Sequence, residues 1–181
     1  YLVDGVGKAR GILSYTNVAN SSYAWGSVGY VVTGASGAFA AASTSVNSAD
    51  SLINLQHALK SKYRAGAVWL LNSSTAGVIR KLKDADGRHV WSDSLINGQP
   101  PILLGNPVVI DDNMPDVGAG SYSVAFGNFK RGYAVVNHAS GTTLIRDNVT
   151  SKGQTKFNFR RRFGGGIVNY EALKLLRFAT S

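Results

Sequence analysis

Three stretches decide how this chain folds: VWLLNSSTAGVIRKLKDADGRHVW (residues 68–91), GQPPILLGNPVVIDDNMP (98–115) and SYSVAFGNF (121–129). Residues 67–71, AVWLL, are an unbroken apolar run whose length suits a strand covered on both faces. Asn72 or Ser73 can then cap a helix over residues 74–84, with Val78, Ile79 and Leu82 facing inward. DADG (84–87) turns the chain and residues 88–91 continue extended. Residues 103–110 predict a strand, and Pro107, lacking an N–H, places it at a sheet edge or at a bulge. After the acidic loop DDNMPD, residues 122–126 and 133–136 read as neighbouring strands across GNFKRG.

Working outward, Leu52, Leu55, Leu59 and Tyr63 recur at helical steps and predict one helix over residues 49–64, capped by Asn47 or Ser48 and stopped by Gly66. Upstream, a Gly-, Ala- and Ser-rich region holds one short strand at 29–32. Downstream, 143–146 adds a strand. Residues 156–163 alternate: Phe157, Phe159, Phe163 and Arg161 share one face, Lys156, Asn158, Arg160 and Arg162 the other. Alternation directs the phenylalanines to a core. Gly164–Gly166 interrupt the strand, NYEA (169–172) turns, and LKLLRFA (173–179) closes as a strand. Strands and helices do not alternate regularly, which points to an α+β fold with two main helices and short, mostly antiparallel strands.

The 181 residues suffice for one sizeable domain or two small ones, and 44% hydrophobic with 16% charged content is globular. No apolar run reaches the length of a membrane-spanning helix. The opening YLVDGVGKARG has neither Met nor a charged-then-apolar leader, and reads as the start of a fragment rather than a signal peptide. Without cysteine there are no disulfides, thiolate metal sites or cysteine nucleophile. A net charge of +9 leaves two readings open: attraction to polyanions such as DNA, or neutralisation by an acidic remainder of a longer chain.

No motif carries catalysis. In DGVGKARG (4–11) Lys8 precedes Ala9 rather than Ser or Thr, so the phosphate-cradling loop pattern fails. His57, His89 and His138 form no HxxxH or HExxH pair, and no GxSxG elbow exists. Asp84 with Asp86, and Asp111, Asp112 and Asp116, lack the spacing and closing Glu of a calcium loop. No enzyme activity, metal or cofactor is expected. The run Arg160–Arg162 is the densest basic feature. Arg160, Arg162 and Lys156 are candidate contacts to a neighbouring subunit's carboxylates or to DNA.

Several motifs, in order, resemble the major capsid (coat) proteins of tailed bacteriophages, the Hong Kong 97-type family. They are DGVGKARGILS, GYVVTGASGAFA, ALKSKYRAGAVWLLN, IRKLKDADGRHVW, QPPILLGNPVVIDDNMPD, FGNFKRGY and RRRFGGGIVNYEALKLLRFA, spread over nearly the whole chain. The resemblance implies the family's axial (A) domain plus part of its peripheral (P) domain. Residues 1–48 would follow the spine helix at the P/A junction, 49–150 form the axial domain, and 151–181 return to the peripheral domain. The N-terminal arm, E-loop and most of the spine helix would precede Tyr1. Family members form pentamers and hexamers tiling an icosahedral shell around double-stranded DNA. The loop at 146–154, with Asp147, Asn148 and Lys152, would lie near a symmetry axis. Some members cross-link a lysine to an asparagine with a glutamate's help. No asparagine stands at 153–155 and the acidic position falls within Arg160–Arg162, so cross-linking is not expected.

The expected function is that of a self-associating structural subunit of a phage or prophage head. It would be assembled in the bacterial cytoplasm and found in the virion, with no membrane partner. Its partners would be itself, packaged DNA contacted non-specifically, and portal, scaffold or protease. An encapsulin-like nanocompartment shell shares the fold. From other classes come a basic nucleic-acid-binding module and, weakest, a hydrolase.

Overall fold

The computed structural model describes residues 10–40, 49–83, 86–89, 91, 101–150 and 152–180. The predicted caps Asn47 and Ser48, most of DGVGKARG, and Asp84 lie outside them. Seven strands make the main sheet: β1 (Asn17–Ala19), β2 (Val28–Ser36), β3 (Val68–Leu71), β4 (Ile102–Leu103), β5 (Asn106–Ile110), β6 (Val124–Gly127) and β9 (Leu173–Ala179), in the order β1-β2-β9-β6-β3-β5-β4. Strands β7 (Tyr133–Asp147) and β8 (Lys156–Ile167) form a separate two-stranded sheet. The helices are α1 (Asp50–Ala58), α2 (Ser61–Arg64), α3 (Ser73–Arg80) and α4 (Phe129–Gly132).

The middle of the sheet is covered on both faces, as the AVWLL run implies. Trp69, Leu71, Val124, Phe126, Leu176 and Phe178 point to one core, shared with Leu52, Leu55, Leu59 and Tyr63 of the helical stripe. Leu70, Ala125, Leu173 and Leu175 point to the other, with Ile12, Val28 and Met114. This odd–even division is the period-2 pleat of a strand buried on both sides.

Five expectations change. The stripe from Leu52 to Tyr63 is buried, but on two helices rather than one: Leu59 and Lys60 are extended. The Arg64 side chain donates to the carbonyls of Leu59 and His57 (2.9 and 3.0 Å), satisfying acceptors that a continuing helix would have used. The second helix runs Ser73–Arg80, capped as predicted by Asn72, whose side chain accepts from the Ser74 amide. It stops short of Asp84, and Val78 is exposed because Thr75, Ala76 and Ile79 take the buried face. Residues 103–110 are a hairpin. Leu104 and Gly105 both have positive φ, 48° and 77°, the pattern of the tightest two-residue turns. The edge is β4, and the ladder with β3 begins at Val108, beyond Pro107. Finally, β6 pairs with β3 and β9, not with the strand after GNFKRG, which contains α4. The main sheet is mixed rather than mostly antiparallel, since β1–β2, β2–β9 and β3–β5 are parallel.

Candidate functional site

The β7–β8 hairpin carries the basic residues singled out in the sequence. Its register pairs Asp147 with Lys156, Ile145 with Asn158, Thr143 with Arg160, Leu144 with Phe159, and Asn137 with Phe163. Between Asn137 and Thr142 the register shifts: residues 138–141 stand opposite Arg162 alone. Gly141 there has φ +60°, and His138 Nδ1 lies 2.7 Å from Ser140 Oγ. This bulge lies between the two stretches, 133–136 and 143–146, read from the sequence as separate strands. They are one long strand.

Alternation then sorts the side chains. Lys156, Asn158, Arg160 and Arg162 share one face, as predicted, and all are exposed. Phe157, Phe159 and Phe163 share the other with Leu144, Arg146 and Arg161, but Phe157 is 56% and Phe159 72% exposed, and only Phe163 is half-buried. The expectation of a core there fails because the hairpin is a sheet of its own, and pattern alone cannot supply a covering layer. Leu144 and Val135, also exposed, lie on the phenylalanine face, whereas Ile145 and Val136, equally exposed, lie on the face of Arg160 and Arg162. The signal for them was the alternation of β7, hidden by the bulge. Gly164–Gly166 do not end the strand, which runs on to Ile167. A Cβ at Gly165 would meet Tyr133 Oη at 2.6 Å and one at Gly166 would meet Tyr15 Oη at 2.8 Å. The glycines thus make room for two tyrosines at the hairpin's base. There Tyr133 Oη donates to the Arg10 carbonyl (2.9 Å), and Tyr15 Oη accepts from the Ile167 amide (3.0 Å).

At the tip, Asp147 accepts from the Thr150 hydroxyl and from the amides of Val149 and Thr150. These bonds, the hydroxyl's first, hold its carboxyl below the usual range. Asn148 accepts from Arg146 (3.0 Å) and Lys152 is exposed. The hairpin carries Arg146, Lys152, Lys156 and Arg160–Arg162 against the single carboxylate of Asp147, more than half of the net +9.

A second polar cluster lies on the main sheet. Lys174, buried in β9, crosses β2 over Gly29, where a Cβ would sit 2.5 Å from its Nζ. It donates to Asn20 Oδ1 (2.7 Å) and lies 4.3 Å over the Tyr23 ring. Burial pushes its pKa below 10.5. The unfolded chain therefore binds this proton more tightly than the folded one, and stability rises as pH climbs through that window. Lys174→Met is expected to be neutral or stabilising at neutral pH and to flatten that rise. Paired thermal melts from neutral to about pH 10 check it; parallel curves for the two proteins would contradict it. Nearby, Lys60 and Lys62 pair with Glu171 (2.6 and 3.3 Å), and Lys60 first, then Lys62, holds its carboxyl low.

The histidines stay apart: His57 on α1, His89 with Nδ1–H donating to the Arg80 carbonyl, His138 in the bulge. Among the described residues, no group of three or more His, Asp or Glu side chains could hold a metal, and no helix is long and apolar enough to cross a membrane. What remains is a projecting hairpin with Lys156, Arg160 and Arg162 on one face and exposed phenylalanines beside Arg146 and Arg161 on the other, a surface suited to contact.

The chain matches the model of the Phage capsid family over residues 1–178. Among curated proteins there is no match. It is 46% identical to the capsid of an empty GTA particle computed with C5 symmetry, with a TM-score of 0.81 over 97% of this chain and 58% of that one. The capsid of the native GTA particle gives the same identity and coverage at a TM-score of 0.82. A structure from Gordonia phage Cozz, 12% identical, shares the fold at a TM-score of 0.52 over 99% of this chain and 55% of that one. The chain thus spans 58% of the length of the two GTA capsid chains.

Proposed function

Because the chain belongs to the phage capsid family, we propose that it acts in the shell of a phage or prophage head, as a subunit self-assembling into pentamers and hexamers around double-stranded DNA. The observation that carries this is the 46% identity to GTA particle capsids over 97% of the chain. The exposed hairpin supports it, because a projecting arm with exposed phenylalanines needs a partner surface. In this reading one patch of each subunit binds a different patch on the next, and the rotation closes a ring. Lys156, Arg160 and Arg162 contact a neighbouring subunit or DNA, and the tip with Asp147, Asn148 and Lys152 lies near a symmetry axis. The Hong Kong 97-type segments go with it: 1–48 at the P/A junction, 49–150 axial, 151–181 returning towards the peripheral domain. The shell assembles in the bacterial cytoplasm and persists in the virion. The matches do not favour the nanocompartment or nucleic-acid-module readings.

Electron microscopy of the complete gene product after size-exclusion separation tests this. Closed shells tens of nanometres across are expected. A soluble monomer, even with assembly protease and scaffold co-expressed, would sink the reading.

A further inference from the structure

We propose that the cationic face of the β7–β8 hairpin docks on the acidic loop Asp111–Asp116 of a second copy of this chain. The inference rests on the capsid reading and names the two surfaces that meet. Arg160, Arg162 and Lys156 project from one face of β8 into solvent, and none of the three forms an ion pair among the described residues. Among the described residues Arg160 and Arg162 therefore find no carboxylate partner, and Lys156 stands opposite Asp147, the only carboxylate on the hairpin's described residues.

The loop after β5 has the complementary deficit. It places Asp111, Asp112 and Asp116 within six residues, with Asp112 and Asp116 exposed. Its backbone is held in one shape. The Asp111 amide donates to the Leu71 carbonyl (2.9 Å), Asn72 Nδ2 to the Met114 carbonyl (2.9 Å), and Ser123 Oγ to the Asp116 carbonyl (2.7 Å), while the Met114 side chain is buried. The side-chain partners of Asp111 and Asp116 are the neutral Asn113 and Ser74. A rigid acidic loop whose carboxylates have no cationic partner and an arm whose arginines have no carboxylate partner, at different places on one polypeptide, are complementary between copies. Such a contact is heterologous, the kind that closes rings, and chains 46% identical form capsids with C5 symmetry. Guanidinium groups suit this partner, since their forked donors match carboxylate geometry. The alternative occupant of the basic face is the nucleic-acid backbone.

The full-length protein is used for the test. Arg160→Glu with Arg162→Glu is expected to lower particle yield by about tenfold or more, the coupling of one charge pair being repeated around the ring. Asp112→Arg, at a side chain that makes no hydrogen bond among the described residues, is expected to lower it similarly. Combining Asp112→Arg with Arg160→Glu and Arg162→Glu is expected to restore most of the yield. Normal assembly of the arginine variant, or no restoration although circular dichroism shows every variant folded, would overturn the proposal. So would shells of normal yield that have lost their DNA, since the basic face then serves nucleic acid. A second measurement uses the absence of cysteine from the chain. Asn158→Cys with Asn113→Cys, oxidised, is expected to give a ladder of disulfide-linked copies that neither single variant gives. Shells of the double variant without that ladder would also overturn the contact. If the unmodified protein forms no shell, the capsid reading fails. The same oxidised double variant then decides the contact on its own: a ladder supports it, and its absence from a concentrated solution overturns it.

Discussion

Gly127→Ala is expected to destabilise the protein by about 3 kcal/mol, near the upper end of what one added methyl costs in a packed interior. Gly127 ends β6, between Val68 of β3 and Leu173 of β9. A Cβ there would lie 2.2 Å from the Ala172 carbonyl oxygen and 2.9 Å from Leu173 Cα. Both neighbours are backbone, so no side chain can rotate away. The Ala172 oxygen also accepts from the Asn128 amide (2.9 Å). Displacing it breaks that bond and disturbs Asn128, whose side chain bridges the Ala65 carbonyl and the Arg131 amide. Chemical denaturation of the variant beside the parent measures the loss. Gly77→Ala is the control, because nothing lies within 4 Å of its added Cβ and its helical backbone favours alanine. Equal midpoints for parent and Gly127→Ala would show that the strands separate more easily than this geometry allows.

Trp69→Ala is expected to cost about 3–5 kcal/mol and to lower the melting temperature by about 10 °C. The side chain is fully buried in β3, an interior strand of the sheet. Its ring centroid lies 4.2 Å from that of Phe126, its cross-strand partner, and its Nε1–H donates to the Leu103 carbonyl (2.9 Å). Alanine leaves a cavity between two strands and an unsatisfied carbonyl in the β4–β5 hairpin. Trp69→Phe keeps most of the volume and loses the donor, so its smaller loss isolates the hydrogen bond. Calorimetry of the three proteins checks the order; a loss for alanine no greater than for phenylalanine would refute this account of the site.

Much of the core was legible because burial imposes a period. Leu52, Leu55, Leu59 and Tyr63 line one stripe, and all four are buried. The AVWLL run announced a strand packed on both sides and LKLLRFA a closing strand; β3 and β9 are those strands, and β9 too is packed on both sides. The break between α1 and α2 was not legible, because it depends on Arg64 folding back onto Leu59 and His57. Nor was the β4–β5 hairpin, since its turn puts Leu104, not an Asn or Gly, at φ 48°. At the candidate site, alternation sorted Arg160 and Arg162 from the phenylalanines correctly, yet assigned the phenylalanines a core they do not have.

The sequence by itself determined which side chains share a face, where Gly66 stops a helix, the absence of any catalytic or metal-binding spacing, and the resemblance to coat proteins that the family match bears out. These follow from local chemistry and from the fixed repeats of helix and strand. Only the tertiary structure decided that β9 inserts between β2 and β6, and that β7 and β8 leave the main sheet to stand as an arm. Strand pairing joins residues far apart in the chain: Tyr30 meets Leu175, and Tyr133 meets Ile167. A period of two residues says which way a side chain points, not whether anything is there to cover it.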